Sequence, residues 1–199
     1  MLGLIRHGET VANEAGLYAG LAEYELTLNG RSQAARVGAF IATELSKDLL
    51  IDGPIISSPI SRAYQTAEII TGHLPGVDIV LDERIREVDY GRLDGEPIRK
   101  GLSFINEAYR HNGGEFEVEP AASIRQRASN FIADNAEYLD PMSRKIKLAV
   151  GHGALWGVAS ALVQAHPLLN AKIPKNYEII LLARDSASVI DTREMSDTL

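Results

Sequence analysis

Two histidines, each set beside glycine at the end of a short apolar run, most constrain what this chain can fold into. Leu2 to Ile5 runs into Arg6-His7-Gly8, and Lys147 to Val150 runs into Gly151-His152-Gly153. Each run reads as a buried strand that ends at once in a loop. In open α/β sheets, ligands sit beyond the carboxyl ends of the strands. Two histidines placed there can meet across one crevice.

The segments between them alternate in kind. Gly30 to Lys47 carries Ala34, Val37, Ile41 and Leu45 at helical spacing. Pro54-Ile55-Ile56 reads as a second strand. Ser61 is placed to cap the next helix, which has Ala63, Ala67 and Ile70 on one face and an expected end near Gly72. Val77 to Leu81 is a third strand, Lys147 to Val150 a fourth, followed by a helix through Leu162, and Ile179 to Ala183 a last strand. This alternation predicts α/β architecture with a mostly parallel sheet. The stretch from about Gly95 to about Ser143 breaks the rhythm. It holds Gly113-Gly114, Pro120 and helical patterns over Ile98 to Arg110 and Ser123 to Leu139. It reads as a lid inserted into a single domain spanning residues 1–199. The polar tail after Asp185 is expected to fray.

Composition limits the function. The formal net charge is −7, so no affinity for nucleic acid or an anionic membrane is expected, and an anionic substrate needs a local cluster of cations. There is no cysteine, which excludes disulfides and cysteine-ligated metals. No apolar run has the length of a membrane span, and Met1 to Arg6 is too short and too quickly charged for a signal peptide. A cytoplasmic location is expected. Oligomeric state is not readable.

A histidine between Arg and Gly after a buried strand has two readings. It is a nucleophile, or it is a capping or core histidine. As a nucleophile, neutral imidazole attacks phosphorus well when its other nitrogen is held by a hydrogen bond. Arg6 offers a fork for phosphate oxygens, and Gly8 lets a phosphate approach the backbone. Gly151-x-Gly153 after a strand invites a dinucleotide reading, but the third glycine of that fingerprint falls on Trp156. There is no Asp-x-Asp, no Gly-x-x-x-x-Gly-Lys-Ser/Thr and no His-Glu-x-x-His. No metal site and no cofactor are expected.

The chain resembles the histidine phosphatase superfamily, also called the phosphoglycerate mutase-like family. The match starts with Leu4-Ile5-Arg6-His7-Gly8-Glu9-Thr10 and Asn13. It continues through Gly20, Leu26-Thr27-Leu28-Asn29-Gly30-Arg31-Ser32-Gln33-Ala34 and Ser57-Ser58-Pro59-Ile60-Ser61-Arg62-Ala63 with Gln65-Thr66-Ala67. Arg86-Glu87, Gly91, Gly95 and Gly151-His152-Gly153 complete it. The resemblance implies a central, mostly parallel sheet with helices on both faces and a helical lid insertion. It implies His7 as the phosphorylated nucleophile and Arg6, Arg62 and His152 as the cationic pocket around the phosphoryl group. Asn13, Gly20 and Gly153 are implied as further phosphate-binding positions, and Glu87 as the proton donor to the leaving oxygen. No metal is required, because phosphoryl transfer needs positioning and charge stabilisation above all.

Three positions depart from the family's pattern: Glu23 for Asp, Glu25 for Pro and Trp156 for Arg. They are expected to alter the rim of the pocket. The family's mutases are longer and carry an adjacent arginine pair, which this chain lacks. The resemblance therefore favours a phosphatase that hydrolyses a small phosphorylated metabolite. The alternatives are mutase-type transfer within such a metabolite and a phospho-ligand binding module without turnover.

Overall fold

The computed structural model of the chain describes residues 1–98, 116–165 and 173–193. Its strands are β1 (Leu2–Arg6), β2 (Leu50–Ile51), β3 (Ile55–Ser57), β4 (Ile79–Leu81), β5 (Lys145–Gly151), β6 (Glu178–Ala183) and β7 (Ser186–Asp191). Its helices are α1 (Val11–Glu14), α2 (Leu28–Phe40), α3 (Ser61–Thr71), α4 (Ala121–Asp134) and α5 (Gly153–Val163). Helix α2 runs on through a π-helical Ile41–Leu45 and a last turn, Ser46–Asp48. The sheet order is β4-β3-β5-β1-β6-β7, with β2 also paired to β5. The β1, β2, β3, β4 and β5 pairings are parallel, whereas β6 and β7 join antiparallel. The sheet is thus mostly parallel, as expected.

Alternation along β1 and β5 splits the core into two layers. Ile5, Ile146, Leu148 and Val150 face Val37, Ile41, Ala63, Ala67 and Ile70 from α2 and α3. Leu2, Leu4 and Ala149 face Ile124, Phe131, Leu155, Trp156 and Ala159 from α4 and α5. Helix α5, Gly-Ala-Leu-Trp-Gly-Val-Ala-Ser-Ala-Leu-Val, is apolar nearly all round because it lies between the sheet and α4. Helices therefore cover both faces.

Several expectations change. Only part of the segment expected as a lid is described. Residues 99–115, with the pattern over Ile98 to Arg110, lie outside the described residues apart from Ile98. Helix α4, by contrast, is core: Ile124, Ala128 and Phe131 are buried, and the Phe131 and Trp156 rings lie 5.9 Å apart. Of the stretch after Asp185, Ser186–Asp191 forms β7, paired with β6 from Ala183↔Ser186 to Glu178↔Asp191, and residues 194–199 lie outside the described residues. Asp185, at φ 61°, makes the tight turn, a conformation that Asp tolerates better than most residues. Ser61 is the first residue of α3 rather than its cap. The capping acceptor comes from elsewhere, as Glu23 Oε2 accepts from the Ser61 backbone N–H at 3.0 Å and from the Ser61 hydroxyl. No helix among the described residues is long and apolar enough to cross a membrane.

Candidate active site

Parallel register builds the site. Arg6 on β1 stands beside Gly151 on β5, and Val150 stands beside Ser57 on β3. Three neighbouring strands therefore end at one level, and the next residue of each is His7, His152 and Ser58. The His7 amide donates to Gly151 O at 2.9 Å, and the Ser58 amide to Val150 O at 2.9 Å. The rings of His7 and His152 stand 5.2 Å apart.

The His7 ring is oriented on both sides. Its Nδ1 lies 2.8 Å from Gly8 O. A carbonyl only accepts, so Nδ1 carries the proton and Nε2 presents a lone pair. Arg62 Nε donates to that Nε2 at 3.3 Å. Burial, then the charges of Arg62 and Arg6, hold His7 well below the ordinary imidazole value. The ring is neutral at neutral pH, as nucleophilic attack requires.

Gly8 serves packing first. A Cβ there would stand 2.3 Å from Gly30 O, so the missing side chain lets the His7 loop lie against the start of α2. The Gly8 amide donates to Thr66 Oγ1 at 3.0 Å, and that hydroxyl donates to Arg62 O at 2.7 Å.

Arg62 is fully buried. Its Nη1 donates to Ala22 O at 3.0 Å, and its Nη2 to Ala19 O and Gly20 O at 3.1 and 2.7 Å. The guanidinium ties the 19–22 loop to His7. The Gly20 amide is already committed, donating to Asp94 Oδ1 at 3.0 Å. Burial lowers the Arg62 and Arg6 values, but guanidinium starts so high that both stay charged. Arg6 Nη1 donates to Pro174 O at 2.8 Å, and its buried Nε has no partner among the described residues. Gly153 seats this guanidinium: a Cβ there would lie 3.2 Å from Arg6 Cζ.

His152 is fully buried, with Nε2 2.8 Å from Ser58 Oγ and Nδ1 unpartnered among the described residues. Burial first, then Arg62, His7 and Arg6, hold it well below the ordinary value. It sits beside both arginines, as expected of its place in the cluster, and the arginines carry the positive charge.

Glu87 is buried beside the start of α5. Its Oε1 accepts from the amides of Val88 at 2.9 Å and Leu155 at 3.3 Å, and its Oε2 from Ala154 at 3.3 Å. A carboxylate there complements the helix dipole. Helices α3 and α5 are thus both capped by distant glutamates, Glu23 and Glu87. Asn13 closes a capping box with Thr10 through its Oδ1, which leaves its Nδ2 as the group available to an anion.

Together these residues edge a cleft of about 210 Å³. Arg6, His7, Asn13, Glu87 and Gly153 line it, together with Leu17, Tyr18, Tyr90, Ile98 and Ile173. Arg62 and His152 lie behind His7. Trp156 is not at the rim. It is fully buried, and its Nε1 donates to Ile5 O at 2.8 Å.

Sequence reasoning missed Asp94, Asn176 and the hydrogen-bonding role of Ser58. Asn176 Nδ2 donates to His7 O at 2.6 Å. It arrives because β6 runs antiparallel beside β1, which puts the loop before β6 next to the loop after β1. Thr66 had a signal: it lies one helical turn after Arg62 in the quoted Gln65-Thr66-Ala67 block.

The family model for the histidine phosphatase superfamily (branch 1) matches residues 2–186. The probable phosphoglycerate mutase GpmB of Salmonella choleraesuis (strain SC-B67) is 33% identical over 168 residues, 82% of this chain and 74% of that protein. Among solved structures, the mycobacterial glucosyl-3-phosphoglycerate phosphatase in complex with VO3 is 25% identical, with TM-score 0.69 and 90% of each chain covered. The alpha-ribazole phosphatase of Shigella flexneri has TM-score 0.71 at 24% identity, over 96% of this chain and 94% of that one, and shares the fold.

Proposed function

The chain belongs to the histidine phosphatase superfamily, branch 1, and from that premise we propose that it hydrolyses a phosphate monoester of a small metabolite through a phosphohistidine on His7. One observation carries this reading. The His7 Nδ1 proton is committed to Gly8 O, so the reactive lone pair sits on Nε2, with Arg62 on it and Arg6 lining the same cleft. The unpartnered Arg6 Nε and His152 Nδ1 are donor positions suited to phosphoryl oxygens.

In the first step Nε2 bonds to phosphorus while the bond from phosphorus to the leaving oxygen breaks. Glu87 gives that oxygen its proton. In the second step water gives a proton to Glu87, its oxygen bonds to phosphorus, and the bond to Nε2 breaks. Phosphate leaves and neutral His7 returns. The arginines stabilise the charge on the equatorial oxygens in both steps.

A mutase reading is favoured by the likeness to GpmB. It shares the first step and differs in the acceptor, a substrate hydroxyl in place of water. Hydrolysis is favoured by the lack of an adjacent arginine pair and by the likeness to the mycobacterial glucosyl-3-phosphoglycerate phosphatase. The test is rapid quenching with a labelled phosphomonoester. An acid-labile, base-stable adduct on His7 and release of phosphate are expected. Label on Ser57 or Ser58, or none on fully active enzyme, overturns the mechanism. Faster isomerisation than hydrolysis of 3-phosphoglycerate, with its bisphosphate present, overturns the phosphatase reading alone.

A further inference from the structure

The fold buries an ion pair that none of the chemistry above has used. Arg127, on α4, donates from Nε to Glu119 Oε1 and from Nη2 to Glu119 Oε2, both at 2.9 Å. The two side chains are 11% and 7% exposed. A buried pair of this kind is a poor route to stability, since removing two charges from water costs much of what their attraction returns. Its other hydrogen bonds point to a different use.

Arg127 spends its remaining donors on the backbone around Glu87. Nη1 donates to Arg84 O at 2.9 Å and to Arg86 O at 2.6 Å, and Nη2 to Glu87 O at 3.2 Å. Glu119 holds the far side. Its Oε2 accepts from the Asp89 amide at 3.4 Å, and its own amide donates to Asp89 O at 2.7 Å. Ser123 Oγ donates to Glu119 Oε1 at 2.8 Å. The peptide is therefore gripped at 84, 86, 87 and 89.

This stretch has little to hold itself. After the 3-10 turn Glu83–Ile85 it belongs to neither helix nor strand until Gly91–Leu93. Glu87 nevertheless has to reach the amides of Ala154 and Leu155 and the cleft beside His7. An irregular segment carrying a side chain that must be placed to a fraction of an ångström requires outside support.

We propose that the buried Glu119–Arg127 pair positions Glu87 by clamping the carbonyls of residues 84, 86 and 87, and that it makes proton donation to the leaving group depend on α4. This rests on the reading of Glu87 as proton donor. Arg127 and Glu119 are positioning residues and touch no reacting atom. The planar fork is what the geometry uses: five N–H groups meet two carboxylate oxygens and three carbonyls. A lysine ammonium has three donors on one atom and cannot span them.

The test compares Arg127→Lys, Glu87→Gln and the double variant on an alkyl phosphate and on nitrophenyl phosphate, with circular dichroism as the fold control. The alkyl leaving group needs a proton and the nitrophenolate does not. Arg127→Lys is expected to lower kcat on the alkyl phosphate by about 10²-fold, the scale of a 1 Å misplacement, to spare nitrophenyl phosphate, and to add nothing in the Glu87→Gln background. Equal losses on both substrates, or the same loss with and without Glu87, overturn the positioning role. Should Arg127→Lys not fold, Glu119→Gln is read by the same two ratios, and unfolding of both marks the pair as structural and overturns the proposal. Glu87→Gln alone separates the two levels. If it slows both substrates equally, the proton-donor reading fails and the positioning role with it. If it shows the leaving-group effect and the Arg127 and Glu119 variants do not, only the positioning role fails.

Discussion

Arg62 Nε donates to His7 Nε2 across 3.3 Å, so the atom proposed to attack phosphorus is held by a residue proposed to bind the phosphate. The other Arg62 donors go to the carbonyls of Ala19, Gly20 and Ala22. An incoming phosphoryl group competes for a guanidinium already anchored, and little has to be reorganised when it binds. Lysine keeps the charge and loses the fork. Arg62→Lys is expected to fold and to lose about 10²–10³-fold in kcat, the cost of one well-placed donor in a transition state. Steady-state kinetics on a phosphomonoester checks this, and near-normal turnover would place Arg62 outside the machinery.

Ser58 sets which His152 nitrogen carries the proton. Its Oγ accepts from the Ile60 amide at 3.3 Å, which leaves its own hydrogen for His152 Nε2 at 2.8 Å. Nδ1 is then the protonated nitrogen, and it has no partner among the described residues. Ser58→Ala is expected to cost roughly tenfold in turnover, about one hydrogen bond, with the fold kept. Nitrogen NMR should show His152 shifting between tautomers. An unchanged tautomer with an unchanged rate counts against the assignment.

Acid should destabilise the protein through its two buried histidines. Both rings are neutral when folded, since burial and then neighbouring charges, Arg62 first, hold them well below their ordinary value. In the unfolded chain each takes up a proton near pH 6.5. A value depressed by folding gives stability that is fully present above the unfolded value and is lost as pH falls towards the folded one. The loss reaches up to about 1.4 kcal/mol per pH unit for each ring. Urea unfolding between pH 7.5 and 5.5 measures it, and His152→Gln should remove about half of the slope. Arg62 and Arg6 keep their charges across this window in both proteins. A flat profile would mean that both rings titrate as free imidazole does.

Activity is expected to survive dialysis against a strong chelator. Among the described residues no three His, Asp or Glu side chains gather as a metal site would need, and the arginines already supply the positive charge. Loss of the rate with recovery on added zinc or magnesium would replace this mechanism with metal-assisted hydrolysis.

The sheet, and the meeting of His7 and His152 beyond its strand ends, were legible in the sequence because both rest on local signals. The apolar runs ending in Arg6-His7-Gly8 and Gly151-His152-Gly153 give both the strands and the positions where they stop. The supports were not legible, since they are made by tertiary pairing. Asn176 reaches His7 through antiparallel β6, Asp94 reaches the Gly20 amide across 74 positions, and Glu23 caps α3 from a loop. Strand β7 was overlooked because Ser186-Ala187-Ser188-Val189-Ile190-Asp191 is polar for an edge strand, although its turn residue Asp185 was in view. Trp156 was expected at the rim because it replaces a charged residue in the family's pattern. Its Nε1 finds Ile5 O instead, and the ring fills the layer under the sheet.

Gly8 gives the last prediction, in which two readings of one residue separate cleanly. If its small size serves only phosphate approach, Gly8→Ala weakens substrate binding and leaves the protein's stability alone. The structure points elsewhere. A Cβ at Gly8 would stand 2.3 Å from Gly30 O and 2.8 Å from Gly30 C, both backbone atoms. Gly30 cannot retreat easily, because its amide donates to Thr27 Oγ1 at the cap of α2, and a Cβ at Gly30 would stand 2.0 Å from Glu9 O. The two glycines are therefore a matched contact between the His7 loop and α2. Overpacking of this kind costs about 1–3 kcal/mol, which for a chain of this size lowers Tm by roughly 2–4 °C per kcal/mol. Gly8→Ala should thus melt lower with no substrate present, and Gly30→Ala should behave alike. The Gly8→Ala, Gly30→Ala double variant should lose less than the sum of the two, because either methyl alone already forces the elements apart. A Gly8→Ala protein with native Tm and only a raised KM would return the residue to the phosphate-approach reading.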